Sequence, residues 1–99
     1  MGRVVVISKT AERKLDALFN YLENNWSVKV KINFIQKLDK NISLIKTQPE
    51  SFPVSLKAKG LHKCVITKQT TLFYRFDDEK IKIVTIFDSR QNPKSFNEK

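Results

Sequence analysis

The 99 residues suffice for one hydrophobic core and not for two, since domains typically run to about 100–200 residues; one domain over 1–99 is expected. A composition of 40% hydrophobic and 29% charged residues, with two Gly and three Pro, excludes a disordered, collagen-like or low-complexity chain. Nineteen Lys and Arg against ten Asp and Glu leave a formal charge of +9, which suits either a polyanionic partner, nucleic acid or an acidic protein, or simply a solvated, solubility-giving surface.

In chain order, Val4-Val5-Val6-Ile7 is a β-branched run short enough for a strand buried on both faces. It is also the longest uninterrupted apolar stretch, far short of a membrane span or of a signal peptide's apolar segment. No membrane partner is therefore expected, and a cytoplasmic location is. Ser8 or Thr10 then offers an N-cap, with Glu12 and Asp16 near the positive end of the helix dipole. Ala11, Leu15, Leu18, Phe19 and Leu22 recur at three and four residues and form one apolar stripe. Asn24-Asn25 interrupts it. Trp26 is expected to plug the end of a helix hairpin, although an exposed Trp there would be an interface anchor. Ser27 can cap a second helix with Val30, Phe34, Leu38, Ile42 and Ile45 on its inner face. Ile35 widens that stripe, while Lys29, Lys37, Lys40 and Lys46 fall mostly elsewhere. Gln48-Pro49 stops the helix, because the residue before proline is pushed out of helical geometry. Two single-striped helices joined by a short turn need a sheet as the opposing surface.

Residues 50–60 read as a loop with Pro53 and Gly60. Leu61–Thr67, Thr71–Asp77 and Lys80–Asp88 read as three strands rich in β-formers, separated by turns at Lys68–Thr70 and Asp77–Lys80. Asn92-Pro93 ends the last strand, and the tail from about residue 94 is expected to be weakly ordered. The order β-α-α-β-β-β is an α+β fold: a small antiparallel sheet, made of a three-strand meander joined by the N-terminal strand, packed against an N-terminal αα-hairpin.

The charge is uneven. Nine Lys face only Asp39 and Glu50 between Val28 and Gln69. Among them, Lys57 and Lys59 either contact phosphate or belong to a solvated loop. Cys64 is the only cysteine, so no internal disulfide forms, and it reads as a small core hydrophobe. Cys64 with the one histidine, His62, cannot build a structural zinc site, and neither metal nor cofactor is expected. His62 is either a proton shuttle or an ordinary residue of a half-exposed strand, with Lys63 beside it as a further cation. Arg75 can grip a phosphate or a partner's carboxylate, or pair with Asp77 or Asp88. Arg90 follows the last strand, where its guanidinium is expected to reach solvent and to bind phosphate or carboxylate through two parallel hydrogen bonds; the alternative is a structural ion pair with Asp88.

Taken together, Ala11 to Tyr21-Leu22 before Trp26, the Ile42–Thr47-Gln48-Pro49-Glu50 helix end, Leu72-Phe73-Tyr74-Arg75-Phe76-Asp77-Asp78, and the closing Phe87-Asp88-Ser89-Arg90-Gln91-Asn92-Pro93 resemble the RelE/ParE superfamily of toxins from bacterial type II toxin–antitoxin systems. The resemblance runs from Val4 to Pro93, and it is more ParE-like than RelE-like because of the long unbroken hairpin. It implies a toxin neutralised by an acidic antitoxin encoded beside it. The positive field from Val28 to Gln69 would favour a partly disordered antitoxin segment along the helices and a sheet edge.

Two activities are implied. RelE-like members cut messenger RNA on the ribosome without metal, which needs a proton acceptor, cations around the phosphorane and an acid for the leaving oxygen. Their pattern places two lysines on the second strand, an arginine at the start of the third, an arginine after the fourth and a tyrosine in the tail. Here the late arginine is Arg90, the tail position is Phe96, the third-strand position is Thr71, and the lysine pair falls near His62, Lys63 and Cys64. Arg75 lies four residues beyond its expected place. The set is incomplete, so catalytic residues stay open among Arg90, Arg75, His62 and Lys63, and an enzyme is disfavoured. ParE-like members instead poison DNA gyrase, and that is the expected activity. Lys57, Lys59, Lys63, Arg75 and Arg90 are the expected target-binding residues. The alternatives are ribosome-dependent mRNA cleavage and a non-toxic basic nucleic-acid-binding module, the latter lacking the interleaved aromatics of a stacking platform.

Overall fold

Ser8 ends the first strand and starts the first helix. In the computed structural model, which describes residues 3–56, 58 and 60–90, β1 (Val4–Ile7) leads into α1 (Lys9–Asn25), α2 (Val28–Thr47) and a single 3₁₀ turn at Pro49–Ser51. β2 (His62–Val65), β3 (Thr70–Phe76) and β4 (Lys80–Asp88) follow. Lys57, Lys59, Asn92-Pro93, Phe96 and the tail lie outside the described residues.

Both serines expected as caps take that role. Ser8 Oγ accepts from Ala11 N at 3.0 Å and Ser27 Oγ from Val30 N at 3.1 Å. The stripe of α1 buries Ala11, Leu15, Leu18 and Leu22, and α2 buries Phe34, Leu38 and Ile45. They close on Cys64, Leu72, Tyr74, Ile81, Ile83 and Ile86 of one sheet face. Trp26 does not plug the hairpin: it is 60% exposed. Phe19 meets Phe34 edge-to-face at 6.2 Å and Leu22 is fully buried, so that end of the hairpin is filled without it. Among the described residues, no helix is long and apolar enough to cross a membrane.

The strand order is β1-β4-β3-β2, so β1 is an edge strand, and it is not buried on both faces as expected: Val4 is 66% and Val6 39% exposed. β2, β3 and β4 form the expected antiparallel meander, but β1 pairs with β4 in parallel, from Val4↔Lys80 to Ile7↔Ile83. The sheet is therefore mixed, not wholly antiparallel. The helix hairpin explains this. α2 returns the chain to the end at which β1 began, where Arg3 Nη1 donates to Lys46 O at 3.3 Å. β1 and β2 thus start from one end, and two reversals later β4 runs the same way. β2 stops at Val65, two residues short of expectation, because Thr67 Oγ1 accepts from Gln69 N and Thr70 N and folds a tight turn.

The register slips once. Phe73 faces Thr85 and Tyr74 faces Ile83, which leaves Val84 as the extra residue of a β-bulge. Its carbonyl accepts from Ser8 Oγ at 2.6 Å. Ser8 therefore serves two orphaned backbone groups at once, a helix N–H and a bulge carbonyl. Ser8→Ala should lower the unfolding free energy by about 2 kcal/mol, one share for the cap and one for the stranded carbonyl. Ser8→Asp can accept from Ala11 N but cannot donate to Val84, so it should restore only about half. Urea unfolding of the three proteins measures both steps.

Candidate functional site

Strand alternation decides where each expected site residue points. Tyr74, Ile81 and Ile83 belong to the core. His62, paired with Tyr74 across the sheet, also lies on the helix-facing side. Its ring stacks on Tyr74 at 5.4 Å, and its Nδ1 is 2.7 Å from Phe52 O. Tyr74 in turn donates its hydroxyl to Pro49 O at 2.7 Å. Burial, with the nearby Cys64 and Glu50, holds this phenol above its ordinary range. His62 is thus built into an aromatic cluster that fastens the end of α2 to the sheet.

Lys63 takes the face away from the helices and is exposed, although that face is not bare throughout: its partner Phe73 is 2% exposed. Cys64 returns to the core at 1% exposure, and burial pushes its thiol up to about 11. It is protonated at neutral pH and is no nucleophile. Thr71 is half-buried and carries no charge. The structure therefore does not bring the second-strand positions together: His62 and Lys63 face opposite ways.

Arg90 lies at the other end of the sheet. Asp88 pairs with Thr70 while His62 pairs with Tyr74, four residues or roughly 13 Å along β3. The expectation that the Arg90 guanidinium projects freely into solvent is corrected here. Its Nη2 donates to Asp88 Oδ2 at 2.8 Å and its Nε to Asp88 Oδ1 at 3.2 Å, and the side chain is 22% exposed. Asp88 also accepts from Thr70 Oγ1 and from Arg90 N at 2.9 Å. Burial alone would raise this carboxyl, but the bonds from Arg90 and Thr70 outweigh it and hold it below the ordinary value. The cause is local. The bulge turns Asp88 inward, and a buried carboxylate requires a partner, which the next arginine supplies. The exposed edge of Arg90 borders a groove of about 260 Å³ whose floor includes Leu22, Val30 and Phe34 and whose rim carries Lys37.

Arg75 is exposed on the open face and pairs with neither carboxylate weighed for it. Asp88 is engaged as described, and Asp77 Oδ1 accepts from Glu79 N at 2.8 Å and Lys80 N at 2.9 Å, closing the β3–β4 turn. Directly across from Arg75 stands Lys82. Lys80 and Lys82 were not singled out from the sequence, although their alternation with Ile81 and Ile83 already assigns both to the face opposite the core. Arg3 was also missed. It donates to Asp77 O at 2.7 Å and Lys46 O and lies 5.6 Å over the Phe76 ring, and no signal in a one-residue cation predicts that. Among the described residues, no group of three or more His, Cys, Asp or Glu is placed to hold a metal.

The profile described as "ParE toxin of type II toxin-antitoxin system, parDE" matches residues 5–93. A search of curated proteins found no match. Among solved structures, the chain is similar to the chromosomal ParDE system from P. aeruginosa at a TM-score of 0.73 and 11% identity, covering 87% of this chain and 95% of that one. It is similar to the E. coli DinJ-YafQ toxin–antitoxin complex at 0.63 and 11% identity, covering 93% and 98%. For the YoeB dimer from Staphylococcus aureus the values are 0.62 and 19%, covering 86% and 94%. At these identities the structures establish a shared fold.

The Asp88 network yields a pH prediction. A carboxyl whose folded pKa lies below its ordinary 3.8 adds stability that is present above that value and is lost as pH falls through the folded one. Asp88→Asn should be less stable than the parent at pH 7 yet lose less on acidification below about pH 4. Arg90→Ala removes both guanidinium bonds, leaves the buried carboxylate with the Thr70 hydroxyl and the backbone N–H of residue 90, and should cost roughly 1–3 kcal/mol at neutral pH. Equal acid slopes for parent and Asp88→Asn in urea unfolding would remove Asp88 as the titrating group.

Proposed function

The chain belongs to the family of ParE toxins of type II toxin–antitoxin systems, within the RelE/ParE superfamily, and from that membership we propose that it arrests growth by acting on DNA gyrase and is neutralised by an acidic antitoxin encoded beside it. The family match over residues 5–93 is the observation that carries this reading. The geometry adds support by what it keeps apart. A self-cleavage of RNA needs a base, an acid and cations around one phosphate. Here Cys64 is buried, Thr71 is uncharged, His62 and Lys63 take opposite faces, and Arg90 neutralises Asp88. No described cluster gathers those roles.

Support for an acidic antitoxin comes from complementarity. The groove beside Arg90 joins an apolar floor of Leu22, Val30 and Phe34 to a rim of Lys37 and Arg90. An amphipathic segment with carboxylates along one side fits such a surface. Solved relatives are themselves toxin–antitoxin systems, among them ParDE and DinJ-YafQ.

Inducible expression in a bacterial host, with DNA breaks and protein synthesis followed in parallel, tests the target. DNA breaks and loss of supercoiling are expected before translation falls, with growth restored by co-expression of the neighbouring open reading frame. Loss of translation first, with messenger cut in the ribosomal A site, would replace gyrase by the ribosome.

A further inference from the structure

Arg75, a target-binding candidate from the sequence, stands with two further cations on the sheet face away from the helices. Arg75 of β3 is directly opposite Lys82 of β4, and Lys80 lies two residues earlier on β4. Tyr74, Ile81 and Ile83 belong to the core and Phe76 packs against it, so alternation sends all three cations to the other side. With Asp77 they line a groove of about 310 Å³. Like charges facing each other across a strand pair destabilise it, and Asp77, whose carboxylate feels the charge of Lys80, offsets them in part without forming an ion pair among the described residues. Asp77 is committed to the turn amides, and the ion pairs among the described residues are Lys31–Glu23 and Arg90–Asp88. A fold that carries this repulsion holds charge in place for an anion from outside.

The geometry also narrows the anion. β3 and β4 are interior strands in the order β1-β4-β3-β2, so their backbone groups are spent within the sheet. An acidic peptide laid here gains none of the main-chain bonds that an added edge strand would make. The apolar surface beside it is limited to Val4 and Val6 of β1, next to Lys80 and Lys82, while the aromatic ring at the groove, Phe76, is held 5.2 Å from His62 and 5.6 Å from the Arg3 guanidinium. What the groove offers is charge at the sheet's own repeat, about 4.8 Å across strands and about 6.7 Å along β4. Arg75 can take a phosphate with two donors, and the lysines act as point charges beside it. We propose that the Arg75–Lys80–Lys82 groove binds the phosphodiester backbone of nucleic acid by charge, without reading bases. This contact belongs to the chain itself and needs neither gyrase nor antitoxin.

The test uses the purified full-length chain and a fluorescent mixed-sequence DNA duplex, with affinity measured across salt concentrations. Each phosphate contact contributes about 0.9 to the slope of log affinity against log salt. Replacing Arg75→Gln, Lys80→Gln and Lys82→Gln together should flatten the slope by about 2 or more. Replacing the exposed helix cations Lys9→Gln, Lys29→Gln and Lys40→Gln, an equal loss of charge, should leave it nearly unchanged. Equal losses in both triple variants would reduce the groove to part of a general positive field and overturn the proposal, as would no binding by the parent. An unchanged slope for the groove variant, coupled with loss of binding to poly-glutamate, would assign the groove to an acidic protein. Circular dichroism checks folding, and if the triple variant fails to fold, Lys82→Gln alone should flatten the slope by about 1. The gyrase assignment fails independently, since it rests on the order of DNA and translation effects in cells.

Discussion

The contact between Ser8 and the bulge at Val84 fixes which side chains this sheet presents to each side. A strand alternates its faces strictly, and one inserted residue reverses the alternation beyond it. Before the bulge, Ile81 and Ile83 face the helices; after it, Ile86 is the next core residue and Asp88 is buried. Without the insertion, Thr85 and Phe87 would turn inward and Asp88 would face the open side. Inserting a residue leaves a carbonyl unpaired, and the Ser8 hydroxyl takes it at 2.6 Å while capping α1. One side chain thus joins the end of β1, the start of α1 and the irregularity in β4.

Two electrostatic arrangements follow, and they are opposites. Above the bulge an inward carboxylate is costly unless paired, so Asp88 has drawn Thr70 and Arg90 onto itself. The result is a satisfied network at the end of the sheet. Below the bulge the even positions of β4 face outward and carry lysines, and Arg75 opposes one of them with no carboxylate bound to the three. Satisfied charge at one end is a structural fastening. Unsatisfied charge at the other is available to an external anion.

Much of this was legible in the residues. Val4–Ile7 as a strand, the two serine caps, the stripes from Ala11 to Leu22 and from Val30 to Ile45, and the limits of Lys80–Asp88 all rest on local periodicity and were found where the sequence puts them. What escaped is non-local. The parallel pairing of β1 with β4 depends on where α2 delivers the chain. The exposure of Trp26 depends on Phe19 and Phe34 having filled the hairpin end first. Arg90 read as a free guanidinium because nothing in the spacing of Ile83–Phe87 announces a bulge, and without the bulge Asp88 would face away. Lys80 and Lys82 were within reach of the alternation argument, and only the opposition of Lys82 to Arg75 needed the register.

The same reasoning explains how one fold hosts relatives as different as a ParDE toxin and YafQ or YoeB at 11–19% identity. The fold needs an apolar stripe on each helix and apolar residues at alternate strand positions, which many sequences supply. Sites occupy the positions left over, and these change without disturbing the core. In this chain several residues at or near positions of the RNA-cleaving pattern have structural contacts. Cys64 packs in the core, His62 stacks on Tyr74 to hold the end of α2, and Arg90 neutralises a buried carboxylate. Replacing any of them would leave a neighbour unpaired or uncovered. Arg75, Lys80 and Lys82 satisfy no buried neighbour among the described residues, and that freedom is what the proposed anion contact uses.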